Sequence, residues 1–187
     1  MKFIINLSLT YIFFLSSSLA DWPQFLGPNR NGNNVNESVP LTFKNNEPTF
    51  AWTREVGSGF AGPVSFNKIV YIFHRENDNS IVDAISQNTG RKIWSFTYPT
   101  DYVDDFGFDK GPRAVPLVHN DIIYIYGAEG MLHALELETG KIIWKKNLRN
   151  NYGSEKGFFG RACSPMIAGK TLITVSYTHL RAHETVR

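Results

Sequence analysis

Short apolar runs separated by turn signals fill most of this chain, and their spacing predicts strands. After Gly62-Pro63-Val-Ser-Phe66 the pair Asn67-Lys68 reads as a tight turn into Ile69-Val-Tyr-Ile-Phe73, a near-continuous apolar run of the kind found in a strand buried on both faces. Arg75–Ser80 reads as a polar loop. Ile81–Ser86 alternates as a third strand, Gln87-Asn88-Thr89-Gly90 turns, and Arg91–Thr97 is a fourth. The order then returns. Val115-Pro-Leu-Val118, the turn Asn120-Asp121, Ile122–Tyr126, the turn Ala128-Glu129-Gly130, Leu132–Leu137, the turn Glu138-Thr139-Gly140 and Lys141–Asn147 make a second set of four. A third set opens at Ser164-Pro165 and runs to Val175.

The period is fixed. Thr89 to Thr139 and Trp94 to Trp144 each span 50 residues, and the strand-opening prolines Pro63, Pro116 and Pro165 are 53 and 49 apart. Four antiparallel strands in a unit of about 50 residues match a propeller blade, whereas a sandwich unit needs about 100. A single four-stranded sheet of this composition leaves both faces apolar and needs neighbours to cover them. The expected fold is therefore all-β: a partial β-propeller with two complete blades, half of a third, and an N-terminal outer strand at Phe50-Ala-Trp52-Thr-Arg-Glu55. In a closed ring that outer strand completes the final blade.

Composition and charge narrow the setting. Apolar residues at 42% and aromatics at 14% supply a core, which excludes a disordered chain. The 19 basic and 17 acidic residues nearly cancel without a basic run, so a nucleic-acid partner is not expected. Residues 1–20 read as a secretory signal: Lys2, the apolar stretch Phe3–Leu15, and small residues before a cut after Ala20. The stretch is shorter than the roughly 20 residues of a membrane span. No Cys follows the cut, so no lipid anchor is expected, and the mature chain is expected to be soluble and periplasmic or extracellular. Cys163 is the only cysteine; it forms no internal disulfide and reads as a small buried side chain. Residues 21–175 are assigned to the propeller. Ser176–Arg187 breaks the pattern and reads as a non-native, adaptor-derived tail, so its His179 and His183 are not assigned to a metal. Asn36-Glu-Ser38 fits a glycosylation sequon, taken as chance.

The phrase Ala84-Ile-Ser-Gln-Asn-Thr89-Gly90-Arg-Lys-Ile-Trp94, and its echo Ala134-Leu-Glu-Leu-Glu-Thr139-Gly140-Lys-Ile-Ile-Trp144, resemble the docking motif Ala-x-Asp-x-x-Thr-Gly-Lys-x-x-Trp of the pyrroloquinoline-quinone (PQQ) family of β-propellers. Ser86 and Glu136 stand where Asp is usual, and Arg91 where Lys is usual. Asp21-Trp22-Pro23-Gln24-Phe25-Leu26-Gly27-Pro28 is also typical of secreted members. The resemblance implies that Trp52, Trp94 and Trp144 dock over the turn of a neighbouring blade, made by Thr89-Gly90 and Thr139-Gly140, each burying about 200 Å².

Two functions follow from the resemblance. The first is a non-catalytic scaffold outside the cytoplasm, presenting loops to a protein partner or a small anionic ligand, with no cofactor or metal. The alternative is a quinoprotein alcohol or sugar dehydrogenase, which needs PQQ and calcium. Asp101, Asp104, Asp105 and Asp109 lack the alternating spacing of a calcium loop and read as a solvated loop. Phe106-Gly-Phe-Asp-Lys-Gly-Pro-Arg113 parallels Gly157-Phe-Phe-Gly-Arg161, and both lie in links between blades. Arg113 and Arg161 are thus the candidate ligand-binding residues, expected on the funnel surface beside the central channel.

Overall fold

The computed structural model describes residues 21–33, 43, 47–153 and 155–176, with the backbone of Thr185–Val186. The expected secretory signal at residues 1–20, the sequon motif and the two tail histidines lie outside these residues. Blade 1 is an antiparallel sheet of β1 (Val64–Phe66), β2 (Ile69–Glu76), β3 (Asn79–Ser86) and β4 (Lys92–Pro99), in chain order. Blade 2 repeats it with β5 (Leu117–His119), β6 (Ile122–Tyr126), β7 (Met131–Glu136) and β8 (Ile142–Asn147). The third unit holds β9 (Met166–Ala168) and β10 (Thr171–Ile173). The backbone of β11 (Thr185–Val186) pairs with β10 where blades 1 and 2 have their third strand.

The turns are short because their residues tolerate left-handed backbone. Asn67 and Lys68 sit at φ 50° and 64°, the two positive values that a type I′ hairpin needs between Phe66 and Ile69. The polar stretch Arg75–Ser80 is not a loop. β2 and β3 run through it, pair Glu76 with Asn79, and leave only Asn77-Asp78 as the turn. Polar residues occur there because Arg75 turns inward to serve distant carbonyls. Beyond β8 a one-turn helix, α1 (Leu148–Tyr152), is capped by the Asn147 side chain and ended by Gly153 at φ 60°.

Blade 2 contributes to two cores. Val64, Tyr71, Phe73, Val82 and Ala84 of blade 1 pack with Ile123, Ile125 and Leu135 of blade 2. On the other face of blade 2, Leu117, Tyr126 and Leu132 pack with Leu172 of the third unit. That is why β6 reads as an unbroken apolar run: Ile123 and Ile125 face one neighbour, Tyr126 the other. The same bulge recurs in both blades. Ala84 pairs with Trp94 but Ile85 with Lys92, and Ala134 pairs with Trp144 but Leu135 with Ile142, so one residue is extra each time.

Two of the three motif tryptophans, Trp52 and Trp94, lie over the Thr-Gly turn of a neighbouring blade. The Trp94 ring lies over Gly140 of blade 2, and a Cβ there would stand 2.6 Å from Trp94 Cε3. Its Nε1 donates to Leu137 O at 3.2 Å. Trp52 repeats this on blade 1, over Gly90 and donating to Gln87 O at 2.7 Å. Phe50–Glu55 forms no ladder, however: among the described residues it has no strand to pair with, and the side chains of Trp52 and Arg54 tie it to blade 1. Trp144 packs tilted against Tyr124 with ring centroids 6.0 Å apart, as Trp94 does against Tyr71 at 5.8 Å. Thr139 Oγ1 donates to Glu136 at 2.6 Å and accepts from Lys141 N, so Glu136 fills the role of the motif's Asp; Thr89 accepts from Arg91 N alone.

The residues two beyond Trp52 and Trp94 also face the next blade. Arg54 meets the buried Asp83 at 3.3 Å, with His74 and Lys92 at 3.6 and 3.5 Å from that carboxylate. At the equivalent seam Phe96 packs on His133 at 5.3 Å. Burial pushes the Asp83 carboxyl up, but the Ser95 hydroxyl and the neighbouring Lys92, His74 and Arg54 side chains outweigh it and hold the pKa below the usual range. The two seams are geometrically alike and chemically different, which distinguishes one blade pairing from another.

Candidate functional site

The links that join successive blades run side by side. Phe60 N and Ala61 N both donate to Pro112 O, at 2.8 and 3.1 Å, and Val115 N donates to Ser164 Oγ at 2.9 Å. The N-terminal segment crosses the innermost strands, with Trp22 bridging Ser65 and Pro23 O accepting from Val118 N at 2.7 Å.

From these links four phenylalanines project into solvent. Phe106 contacts Phe108, Phe158 and Phe159 with ring centroids 6.1, 6.0 and 5.7 Å apart. All four are more than half exposed, Phe108 and Phe158 above 70%. Two come from the link after blade 1 and two from the link after blade 2. Phe60, 65% exposed, belongs to the link before blade 1. A cluster of exposed rings of this size is a candidate contact surface.

The loop beneath is tied at many points. Arg75, buried on β2, donates to Tyr102 O at 2.6 Å and Lys110 O at 3.0 Å. Asp104 is buried, not solvated; its Oδ2 accepts from Phe108 N and its Oδ1 lies 3.7 Å from Arg113. Arg113 donates to Gly111 O and Asp109 O and stacks over Tyr102 at 4.7 Å. Lys156 crosses from the second link to Asp105 at 2.6 Å and Val103 O at 3.0 Å. The rings are thus exposed while their backbone is fixed, a preorganised surface.

Arg113 and Arg161 do not stand on the surface. The Arg113 side chain is 6% exposed and Arg161 as a residue 3%. Counted back from Pro116 and Pro165 they differ by one position, so they are not equivalent and point differently. Arg161 donates to Glu129 O at 3.1 Å and Glu155 O at 3.5 Å, and burial lowers its pKa. Both guanidiniums brace the links that carry the phenylalanines. Cys163 is half-buried rather than buried, with its thiol 3.7 Å from Ser164 O.

Among the described residues no three His, Cys, Asp or Glu side chains converge on one point, and Trp22, Trp52 and Trp94 each have a ring against a glycine rather than a free face. No helix among them is long and apolar enough to cross a membrane.

Known proteins agree with this architecture. The outer membrane protein assembly factor BamB of Moranella endobia (strain PCIT) is 32% identical over 73 residues, which are 38% of this chain and 19% of that protein. The chain therefore spans about a fifth of the length of that relative. The quinohemoprotein alcohol dehydrogenase of Comamonas testosteroni shares the fold at 22% identity and a TM-score of 0.55, over 83% of this chain and 23% of that one. BamB from Moraxella catarrhalis aligns at 21% identity with a TM-score of 0.48, over 68% of this chain and 34% of that one. Residues 78–185, more than half of the chain, match the family described as outer membrane protein assembly factor BamB. With its paired Thr-Gly turns and docked tryptophans, the chain belongs to that family of PQQ-like β-propeller repeats.

Proposed function

We propose that this protein is an exported, non-catalytic propeller module that holds a protein partner on the phenylalanine cluster of its interblade links, and that it serves outer-membrane protein assembly outside the cytoplasm. The observation that carries the reading is the contact of Phe106 with Phe108, Phe158 and Phe159 on an exposed, braced surface. Aromatic anchors in such clusters dominate protein interfaces. A small anion is a poorer fit, because Arg113 and Arg161 already spend donors on local carbonyls. The family's description supports the assembly role.

The test is binding of the protein to purified outer-membrane assembly machinery from the same cells, measured by interferometry. The double variant Phe106→Asp, Phe159→Asp is expected to weaken binding at least tenfold, about 1.4 kcal/mol or more, with an unchanged unfolding temperature. Unchanged binding in the variant would remove the cluster from the interface. Alcohol-dependent dye reduction after addition of PQQ and calcium would replace the whole reading with a quinoprotein dehydrogenase.

A further inference from the structure

The outer strands of the two blades carry a charge imbalance that the chain as a whole does not. Arg91–Pro99 and Lys141–Asn147 hold the cations Arg91, Lys92, Lys141, Lys145 and Lys146 and no acid, whereas the whole chain has 19 basic and 17 acidic residues. Lys92 meets the buried Asp83 at 3.5 Å. The other four form no ion pair among the described residues, and Arg91, Lys141 and Lys145 are exposed. Glu136 and Glu138 belong to the turn before β8, where Glu136 is engaged by Thr139 Oγ1 at 2.6 Å. Between the cations stand Ile93, Ile142 and Ile143, 53%, 48% and 46% exposed.

The two strands present one continuous surface. Trp94 of β4 lies over Gly140, the neighbour of Lys141. Phe96 of β4 packs on His133, whose cross-strand partner on β8 is Lys145. Flexible cations along an edge oppose the addition of a further strand, so strand pairing is not what this edge invites. The surface fits a body that is anionic, reaches across both strands, and is apolar just beneath its charge. A bilayer of acidic phospholipid has that order: lysine and arginine heads meet the phosphates while aliphatic groups beside them enter the acyl boundary. We infer that β4 and β8 rest on an acidic phospholipid surface as a peripheral contact. This surface shares no residue with the phenylalanine cluster, and the inference stands independently of the role proposed for that cluster.

The test is cosedimentation of the protein with phosphatidylcholine vesicles, either pure or holding about 30% phosphatidylglycerol. The acidic vesicles bind at least tenfold more tightly than the neutral ones, and raising the salt from about 0.05 to about 0.3 M weakens that binding at least tenfold. The triple variant Arg91→Gln, Lys141→Gln, Lys145→Gln, all at exposed positions, binds acidic vesicles at least tenfold more weakly with an unchanged unfolding temperature. Ile143→Ser weakens binding about threefold. The double variant Phe106→Asp, Phe159→Asp binds vesicles as the wild type does. The inference is overturned by equal binding to the two kinds of vesicle, by a triple variant that binds unchanged, or by loss of vesicle binding in the phenylalanine variant. A polyglutamate peptide that binds while acidic vesicles do not would overturn it too, and would give the surface to an acidic protein segment. The comparison of the two lipids decides the matter without any variant.

Discussion

Trp94→Ala is expected to destabilise the protein by about 3 kcal/mol, and Gly140→Ala by about 2–4 kcal/mol, but the two together by clearly less than their sum. The Trp94 loss combines the half-buried indole surface with its hydrogen bond to Leu137 O, and it opens a gap between blades. The Gly140 loss has two parts. Its φ of 70° is left-handed, which costs an alanine roughly 1–2 kcal/mol, and the new Cβ meets the indole at 2.6 Å. The steric part exists only while Trp94 is present. In a Trp94→Ala background Gly140→Ala therefore retains only the backbone part, and a double-mutant cycle from urea unfolding yields a coupling of about 1–3 kcal/mol. Additive effects would mean that the ring and the turn are not in contact, and the blade-to-blade docking that organises the molecule would be wrong. Gly90 with Trp52 offers an internal repeat of the experiment at the preceding seam.

That docking was legible in the sequence because its signals are local and repeated. Thr-Gly and a Trp at fixed offsets need no knowledge of what they touch, and the two-residue turn at Asn67-Lys68 is written in its own residues. Features that depend on contacts between distant segments were not legible. Arg75–Ser80 looks like a loop by polarity, yet Arg75 is buried because Tyr102 O and Lys110 O lie within its reach. Asp104 looks solvated, yet it organises the loop from beneath. The parallel between Arg113 and Arg161 fails by one residue, and one residue is enough to send a side chain elsewhere. The phenylalanines were visible singly. Their meeting was not, because it joins links about 50 residues apart through the packing of two blades. His133 and Glu129 gave no signal at all: a lone His in an alternating strand and a Glu in a turn read as ordinary positions until the neighbouring blade closes over them.

His133 should make the seam between blades 1 and 2 sensitive to acid. Burial, and secondarily the charge of Lys145, lower its pKa to about 4 from the ordinary 6.5. Between those values the unfolded chain binds a proton that the folded chain refuses, so stability falls as pH drops from about 6.5 to about 4, by about 3 kcal/mol at most. Below pH 4 both states are protonated and this loss stops. Glu129 acts in the opposite sense. Its raised pKa makes the folded state take up a proton first, which returns some stability as pH falls toward the ordinary carboxylate range. Asp83, with its pKa lowered from 3.8, weakens the fold only under more acidic conditions. Three pH-stability curves from urea unfolding separate these effects. Wild type should lose stability between pH 6.5 and 4. His133→Phe, which keeps an aromatic ring against Phe96 and Tyr98, should lose about 3 kcal/mol less over that interval. Glu129→Gln should lose more than wild type, because the offsetting proton uptake is gone. A His133→Phe curve parallel to wild type would show that the imidazole titrates freely, which a ring buried between two sheets with 2% of its surface exposed does not permit. The acid response would then have to originate away from this seam, and the closure of blade 2 over blade 1 would be looser than the contact of Tyr98 with His133 at 4.5 Å requires.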